Sequence, residues 1–65
     1  MSNQKPPYRI AFRKGGQLII ELDCYALPSK GDVVTLDDWD YLVDRRQFHD
    51  LTEAQQVVSI EVITL

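Results

Sequence analysis

The feature of this chain that most constrains its fold is an alternation of apolar and polar residues with a period of two. Tyr8, Ile10 and Phe12 alternate with basic or small residues, and residues 17–26 and 57–65 repeat the pattern. Because successive side chains of a β-strand point to opposite faces of a sheet, this period predicts half-buried strands. The chain is therefore predicted to be an all-β protein.

Turn-forming residues separate the alternating segments. Gly15 and Gly16 lie between the first two, and Pro28, Gly31 and Asp32 follow the second. Proline cannot donate a hydrogen bond to a strand ladder, and a Gly-Asp pair is typical of turns. The five predicted strands cover residues 8–13, 17–26, 33–36, 41–48 and 57–65.

The glycine pair raises the question of how the first hairpin turns. A two-residue turn at Gly15 and Gly16 would set Ile10 opposite Glu21, an apolar residue against a charge. A three-residue loop that includes Lys14 matches the apolar faces and uses Gly16 where a positive φ is needed. A phosphate-binding loop would instead lead into a helix, so that reading is rejected. The predicted pairs are Phe12 with Leu18, Ile10 with Ile20 and Tyr8 with Leu22.

The fourth strand follows a predicted four-residue hairpin loop, residues 37–40. Tyr41 and Val43 share one face of this strand, whereas Phe48 is out of phase with them. A bulge near residues 44–46 would return Phe48 to the core side and bend the strand.

Two overlapping capping-box patterns in residues 50–56 predict one helical or 3₁₀ turn before the last strand. Five short antiparallel strands with one such turn predict a small barrel or roll. Residues 8–65 form this single domain, and residues 1–7 are predicted to be a flexible arm. The predicted core comprises Tyr8, Ile10, Phe12, Leu18, Ile20, Leu22, Cys24, Val34, Leu36, Tyr41, Val43, Phe48, Val58, Ile60 and Val62.

The order hairpin, strand, hairpin, helical turn and final strand resembles the SH3-like barrel. The run L-P-S-K-G-D-V-V-T-L, followed by Y-L-V-D-R-R-Q-F, also resembles small bacterial and phage proteins with an L-P-x-x-G-D turn before a short hairpin. This resemblance implies a five-stranded SH3-like barrel or roll. It implies no functional residue, because the acidic long loop and paired aromatics of peptide-binding SH3 domains are missing from the sequence.

Charge and cysteine content limit the classes of partner. Seven basic and ten acidic side chains give a net charge of −3, which disfavours nucleic acid as the main partner. Cys24 is the sole cysteine, so no internal disulfide can form, and a small domain without staples favours the cytoplasm. No apolar run of about 18 residues predicts a membrane segment.

Residues with catalytic or metal-binding chemistry are few. His49, at a strand end, is interpreted as an exposed surface histidine, and Cys24 as a small buried hydrophobe. Aspartates at positions 37, 38, 40 and 44 crowd one hairpin but match no calcium-binding spacing, so a solvated acidic turn is favoured over a metal site. We therefore expect no enzyme, cofactor or small-molecule substrate.

Outward apolar residues support the leading hypothesis of a non-enzymatic protein-interaction module, self-associating or docking on a larger protein. Ile19 and Tyr25 fall on the polar face of the second strand, and Ile63 and Leu65 on the outer face of the fifth. Trp39, at a hairpin tip, is either a lid over the barrel end or an exposed anchor, and the lid is favoured. A homo-oligomer such as a dimer is one form of this hypothesis.

The alternative hypothesis is a small barrel that binds nucleic acid through basic side chains. Against it, Tyr8 and Phe12 alternate onto the inward face, away from these cations. The candidate residues are Arg9, Arg13, Lys14, Arg45 and Arg46.

Overall fold

A computed structural model describes residues 6–65 and folds them into one curled five-stranded sheet. The all-β prediction is confirmed, and no helix occurs within the described range. Residues 1–5 of the predicted arm lie outside the described residues. The strands are β1 (Tyr8–Lys14), β2 (Gln17–Cys24), β3 (Val33–Leu36), β4 (Trp39–His49) and β5 (Gln56–Thr64).

The order of the strands in the sheet is β2-β1-β5-β4-β3. Neighbouring strands are antiparallel except β1 and β5, which pair in parallel, so the prediction of an entirely antiparallel fold is wrong at this pair. The parallel pair arises because residues 25–32 connect β2 to β3 so that β3 runs in the same direction as β1. The chain then reverses at each of the next two hairpins, so β5 also runs in the direction of β1.

The core lies on one face of the sheet, here called the core face; the opposite face is called the outer face. Residues 25–32 connect β2 at one edge of the sheet with β3 at the other, and Leu27 packs against the core cluster. The connection is fixed at its far end, where Gly31 N donates to Val43 O (2.9 Å) and Val43 N donates to Asp32 O (2.8 Å). The buried residues are Ile10, Phe12, Leu36, Val43, Val58, Ile60 and Val62.

The β1–β2 hairpin turns at Gly15 and Gly16 alone, and both have positive φ (58° and 80°). The predicted three-residue loop is therefore wrong. A bulge adds one residue, Ile19, to β2 and brings Phe12 opposite Ile20. The bulge restores the match of apolar faces that an uninterrupted two-residue hairpin would lose.

The bulge also changes which side chains reach the core. Ile19, predicted on the polar face, packs against the core cluster together with Ile20. Leu18, predicted in the core, lies opposite Arg13 and is 54% exposed. Leu22 is on the core face but at the sheet edge, and it is exposed as well.

The β3–β4 hairpin turns at Asp37 and Asp38, which have φ of 54° and 70°. Trp39 already belongs to β4, so the predicted four-residue loop is wrong. The predicted bulge in β4 is confirmed between Val43 and Arg45. It places Phe48 opposite Val58 on the core face, but Phe48 remains exposed and does not join the core.

The segment between β4 and β5 is a bent turn, and the predicted helical or 3₁₀ turn is not seen. Asp50 has a positive φ (49°), and its carboxylate accepts hydrogen bonds from the Thr52 hydroxyl (2.6 Å) and backbone N–H. The Gln55 amide does not cap the turn; it donates to Pro6 O and to Asp23 Oδ1 (both 3.0 Å). These local bonds replace the capping boxes.

Candidate interaction surface

An apolar row crosses three strands on the outer face. Val33 lies opposite Leu42, and Leu42 lies opposite Ile63. Val33 and Ile63 are exposed, as is Leu65, which follows Ile63 by two residues. These four residues, Val33, Leu42, Ile63 and Leu65, are called the outer patch. Its position next to the free edge of β3 makes it accessible to another molecule.

Sequence reasoning placed Ile63 and Leu65 on this surface but missed Val33 and Leu42. The predicted core contained the neighbours Val34, Tyr41 and Val43, so alternation already directed Val33 and Leu42 outward. The sequence did not show that β3, β4 and β5 align these residues with Ile63 in one row.

The other predicted interface residues lie elsewhere. Tyr25 is exposed but follows the end of β2 nearest to Tyr8 and Gln56, so it is at the opposite end of the sheet from Ile63. Ile19 packs inward. The five predicted residues therefore do not form one surface.

Trp39 is 70% exposed and does not cover the core, so the favoured lid interpretation is wrong. The two-residue turn makes Trp39 the first residue of β4, opposite Leu36 at the very end of the sheet. Because Leu36 is a core residue, Trp39 belongs to the core face, where its side chain remains exposed. Trp39 and the outer patch therefore occupy the same end of the molecule but opposite faces of the sheet.

This end of the molecule is strongly acidic. Residues 31–44 contain five aspartates and no lysine or arginine, which gives the segment a charge of −5 and leaves +2 on the rest of the chain. Within residues 6–65, the ion pairs are those of Arg9 with Glu21 (2.8 Å) and Asp23 (3.2 Å). The aspartates of this end thus remain without ion-pair partners in the part of the chain that the structure describes.

The five basic candidates do not share one surface. Hydrogen bonds to Glu21 and Asp23 raise the pKa of Arg9 and engage its guanidinium. Arg13 donates to Gly16 O of its own hairpin. Arg46 lies opposite Ile60 on the core face, 5.5 Å from the Phe48 ring centroid, whereas Arg45 lies opposite Glu61 on the outer face.

Cys24 and His49 carry the remaining nucleophilic or basic chemistry. Cys24 is half-buried against the core, and burial raises the pKa of its thiol, which keeps it from acting as an activated thiolate. His49 Nε2 lies 2.8 Å from Ser59 Oγ on the outer face, a contact that sequence reasoning missed. Among the described side chains, none orients the His49 ring from its other nitrogen, as nucleophilic catalysis would require.

Residues 6–65 hold neither a cluster of metal-binding side chains nor a helix that could cross a membrane. No three histidine, cysteine or acidic side chains in that range lie close enough to hold a metal ion. No helix in the same range has the length and apolar character to cross a bilayer.

Comparisons of this chain with profiles of known protein families, with curated proteins and with solved structures found no match.

Proposed function

We propose that this protein is a non-enzymatic protein-interaction module that binds a protein partner through the β3–β4 end of its sheet. The observation that supports the proposal best is the outer patch. Three strands contribute to it, and it adjoins an unpaired strand edge. Contiguous exposed apolar side chains of this kind are typical of contact surfaces.

The chemistry of the patch agrees with a protein contact. Protein interfaces have apolar centres with polar rims, and tryptophan is enriched among the residues that contribute most to binding. Here Val33 and Ile63 would form part of the centre and the surrounding aspartates the rim. Trp39, at the same end but on the core face, would add a second contact to a partner that extends around the β3 edge.

A matched pair of substitutions tests the proposal. Ile63→Asp places a charge in the outer patch, and Val57→Asp places the same charge on the same strand and face, about 20 Å away at 3.3 Å per residue. The two residues have similar exposure, 43% and 39%. Binding is measured by capture of partners from lysate, with and without nuclease, and by the mass of the purified protein in solution.

The expected result is that Ile63→Asp abolishes the capture of the protein partner while Val57→Asp leaves it intact. Both variants should keep the far-ultraviolet circular dichroism spectrum of the wild type. Equal binding by the two variants would refute the outer patch as the contact surface.

Nucleic-acid binding is the second proposal, and the geometry gives it less support. Arg9 is engaged by carboxylates, and Arg46 lies on the opposite face from Arg45. Lys14 and Arg45 are the candidates that lie free on the surface, too few for a continuous phosphate-binding track. If nuclease removed all captured material and binding fell steeply with added salt, this second proposal would replace the first.

Two further expectations from the sequence remain proposals. An SH3-like barrel is the proposed fold family, on the order of its hairpins. The cytoplasm is the proposed location, because the chain has a single cysteine and no disulfide.

A further inference from the structure

The sheet has two free edges. Among residues 6–65, β2 pairs with β1 and not with a second strand, and β3 pairs with β4 alone. An unpaired edge presents N–H and C=O groups to which another strand can bond. The two edges differ in sequence, and their backbone groups can be assigned one by one.

The first edge belongs to β2. Gln56 N donates to Pro7 O (2.8 Å), which shows that the odd-numbered residues around β1 direct their backbone groups towards β5. The even-numbered residues of β1 therefore bond β2, because backbone groups alternate along a strand. Glu21 and Asp23 lie opposite odd-numbered residues of β1, so their N–H and C=O groups point to the free edge.

The second edge belongs to β3. A two-residue turn is closed by a hydrogen-bonded pair, which makes Leu36 a bonded position. Asp32, four residues before Leu36, is also a bonded position, because Asp32 O accepts from Val43 N. Val33 and Thr35 therefore direct their backbone groups outward.

We infer that β3 of one copy of this chain pairs antiparallel with β2 of a second copy. The inference rests on the proposed function for the end of the molecule that makes contacts, and it names a second copy as the partner at the β3 edge; Ile63 lies outside this junction. Thr35 would lie opposite Glu21, and Val33 opposite Asp23, so that both outward groups of β3 bond outward groups of β2. On the core face, Val34 and Leu36 would lie opposite Leu22 and Ile20.

This register is the one that fits both strands. A shift of two residues in one direction moves Thr35 to the bulged Ile19, and a shift in the other moves Val33 to Tyr25, beyond the end of β2. The strand directions agree as well, because β3 runs with β1 and therefore opposite to β2. Two copies in the same orientation meet correctly, with their core faces on the same side.

Charge disfavours the two symmetric pairings. In β3 with β3, the two segments of residues 31–44, each with a charge of −5, would come together. In β2 with β2, every register that matches the outward groups sets a carboxylate of Glu21 or Asp23 opposite another carboxylate. Like charges directly opposite each other destabilise a strand pair.

The unlike pairing places no carboxylate directly opposite another. β3 itself carries no charge, so neither Glu21 nor Asp23 meets a carboxylate in the inferred register. Asp37 and Asp38 would extend towards the β1–β2 hairpin, where Lys14 lies. The acidic end of one copy thus approaches the basic hairpin of the next, and the exposed Leu22 is covered.

Such a contact joins two different surfaces, so each junction leaves one β2 edge and one β3 edge free. Contacts of this type continue into a filament or close into a ring. The curl of the sheet favours closure. The mass of the protein should therefore rise beyond that of a dimer as its concentration is raised.

Proline substitutions at outward positions block one edge at a time. Thr35→Pro removes an outward N–H from β3, and Glu21→Pro removes one from β2, without the loss of a bond inside the sheet. Thr35→Val and Glu21→Ala serve as controls, because they lose the same side-chain hydrogen bonds, to Asp40 and from Arg9, but keep the backbone N–H. Sedimentation velocity measures the mass of each variant and of the two proline variants mixed.

The expected result is that each proline variant alone is a monomer, that an equimolar mixture forms a one-to-one dimer and nothing larger, and that the control variants assemble like the wild type. A dimer formed by Thr35→Pro alone would show β2–β2 pairing and overturn the inference. A dimer formed by Glu21→Pro alone would show β3–β3 pairing and do the same.

If a proline variant does not fold, charged variants replace it. Val33→Asp would face Asp23 at the junction and block β3, and Leu22→Asp would face the apolar Val34 and block β2. A mixture of Val33→Asp and Leu22→Asp should again form a one-to-one dimer and nothing larger.

A wild-type protein that stays monomeric up to millimolar concentration would overturn the inference. The proposed function would still stand in that case if Ile63→Asp abolished binding to a different captured protein.

Discussion

The two tight hairpins of this sheet have the same backbone turn but different residues in it. Gly15-Gly16 and Asp37-Asp38 both turn in two residues with positive φ throughout. Glycine adopts this conformation freely, whereas an L-residue with a Cβ is strained there, with aspartate among the more tolerant. One hairpin thus combines an unstrained turn with basic flanks, and the other a strained turn with acidic ones.

The local sequence determines different parts of the two hairpins. In the first hairpin the turn is readily found, but the bulge beyond it sets which residues face the core. In the second hairpin the strands are regular. Its turn contains no glycine, so the sequence does not mark Asp37 and Asp38 as the two turn residues. Four predictions follow, in decreasing order of expected effect.

The largest effect should come from the bulge. Ile19→Asp places a carboxylate at a half-buried position against the core and should lower the free energy of unfolding by about 3 kcal/mol, a large share of the stability of so small a domain. Leu18→Asp, one residue earlier but exposed, should change it by less than about 0.5 kcal/mol. Urea unfolding followed by circular dichroism measures both, and equal losses would contradict the bulge.

An exchange of residues between the two turns should have opposite effects. Gly16→Asp introduces a Cβ at φ 80° and should cost about 1 kcal/mol of stability. Chemical denaturation of this variant tests the first turn. A cost near zero would mean that Gly16 does not hold a positive φ.

The reverse change in the second turn should stabilise. Asp38→Gly relieves strain at φ 70° and produces the Asp-Gly pair preferred in such turns, for a gain of about 0.5–1 kcal/mol. Asp38→Asn is the control, since it removes the charge but keeps the Cβ. If both variants gained equally, charge repulsion rather than backbone strain would be the cause.

The smallest effect concerns the turn before β5. Hydrogen bonds from Thr52 hold the pKa of Asp50 below its ordinary value, so the ionised form stabilises the fold above that value. This contribution should disappear as the pH falls below about 4, through the folded pKa. Melting temperatures between neutral and strongly acidic pH should fall slightly less for Thr52→Val than for the wild type. An identical fall in both would exclude this linkage.

Much of the fold could be predicted from the period of two, and its limits have physical causes. The five strands and the bulge in β4 follow from alternation, because Phe48 is visibly out of phase with Val43. The bulge in β2 could not be found in the same way, because Leu18, Ile19 and Ile20 are all apolar and no phase change is visible.

The candidate surface was predicted in part. Ile63 and Leu65 could be assigned to the outer face from the alternation of the last strand. Val33 and Leu42 join them through strand order and register, which depend on the crossover of residues 25–32 and not on local pattern. The parallel pairing of β1 with β5 was missed for the same reason.

The most direct test of the pairing of β3 with β2 between copies is the concentration dependence of amide hydrogen exchange in the wild-type protein, followed by NMR. The amides of Glu21, Asp23, Val33 and Thr35 face the free edges and should exchange rapidly in dilute solution. All four should gain protection together as the concentration is raised. Protection of the two β2 amides alone, of the two β3 amides alone, or of none of the four would contradict the pairing of β3 with β2.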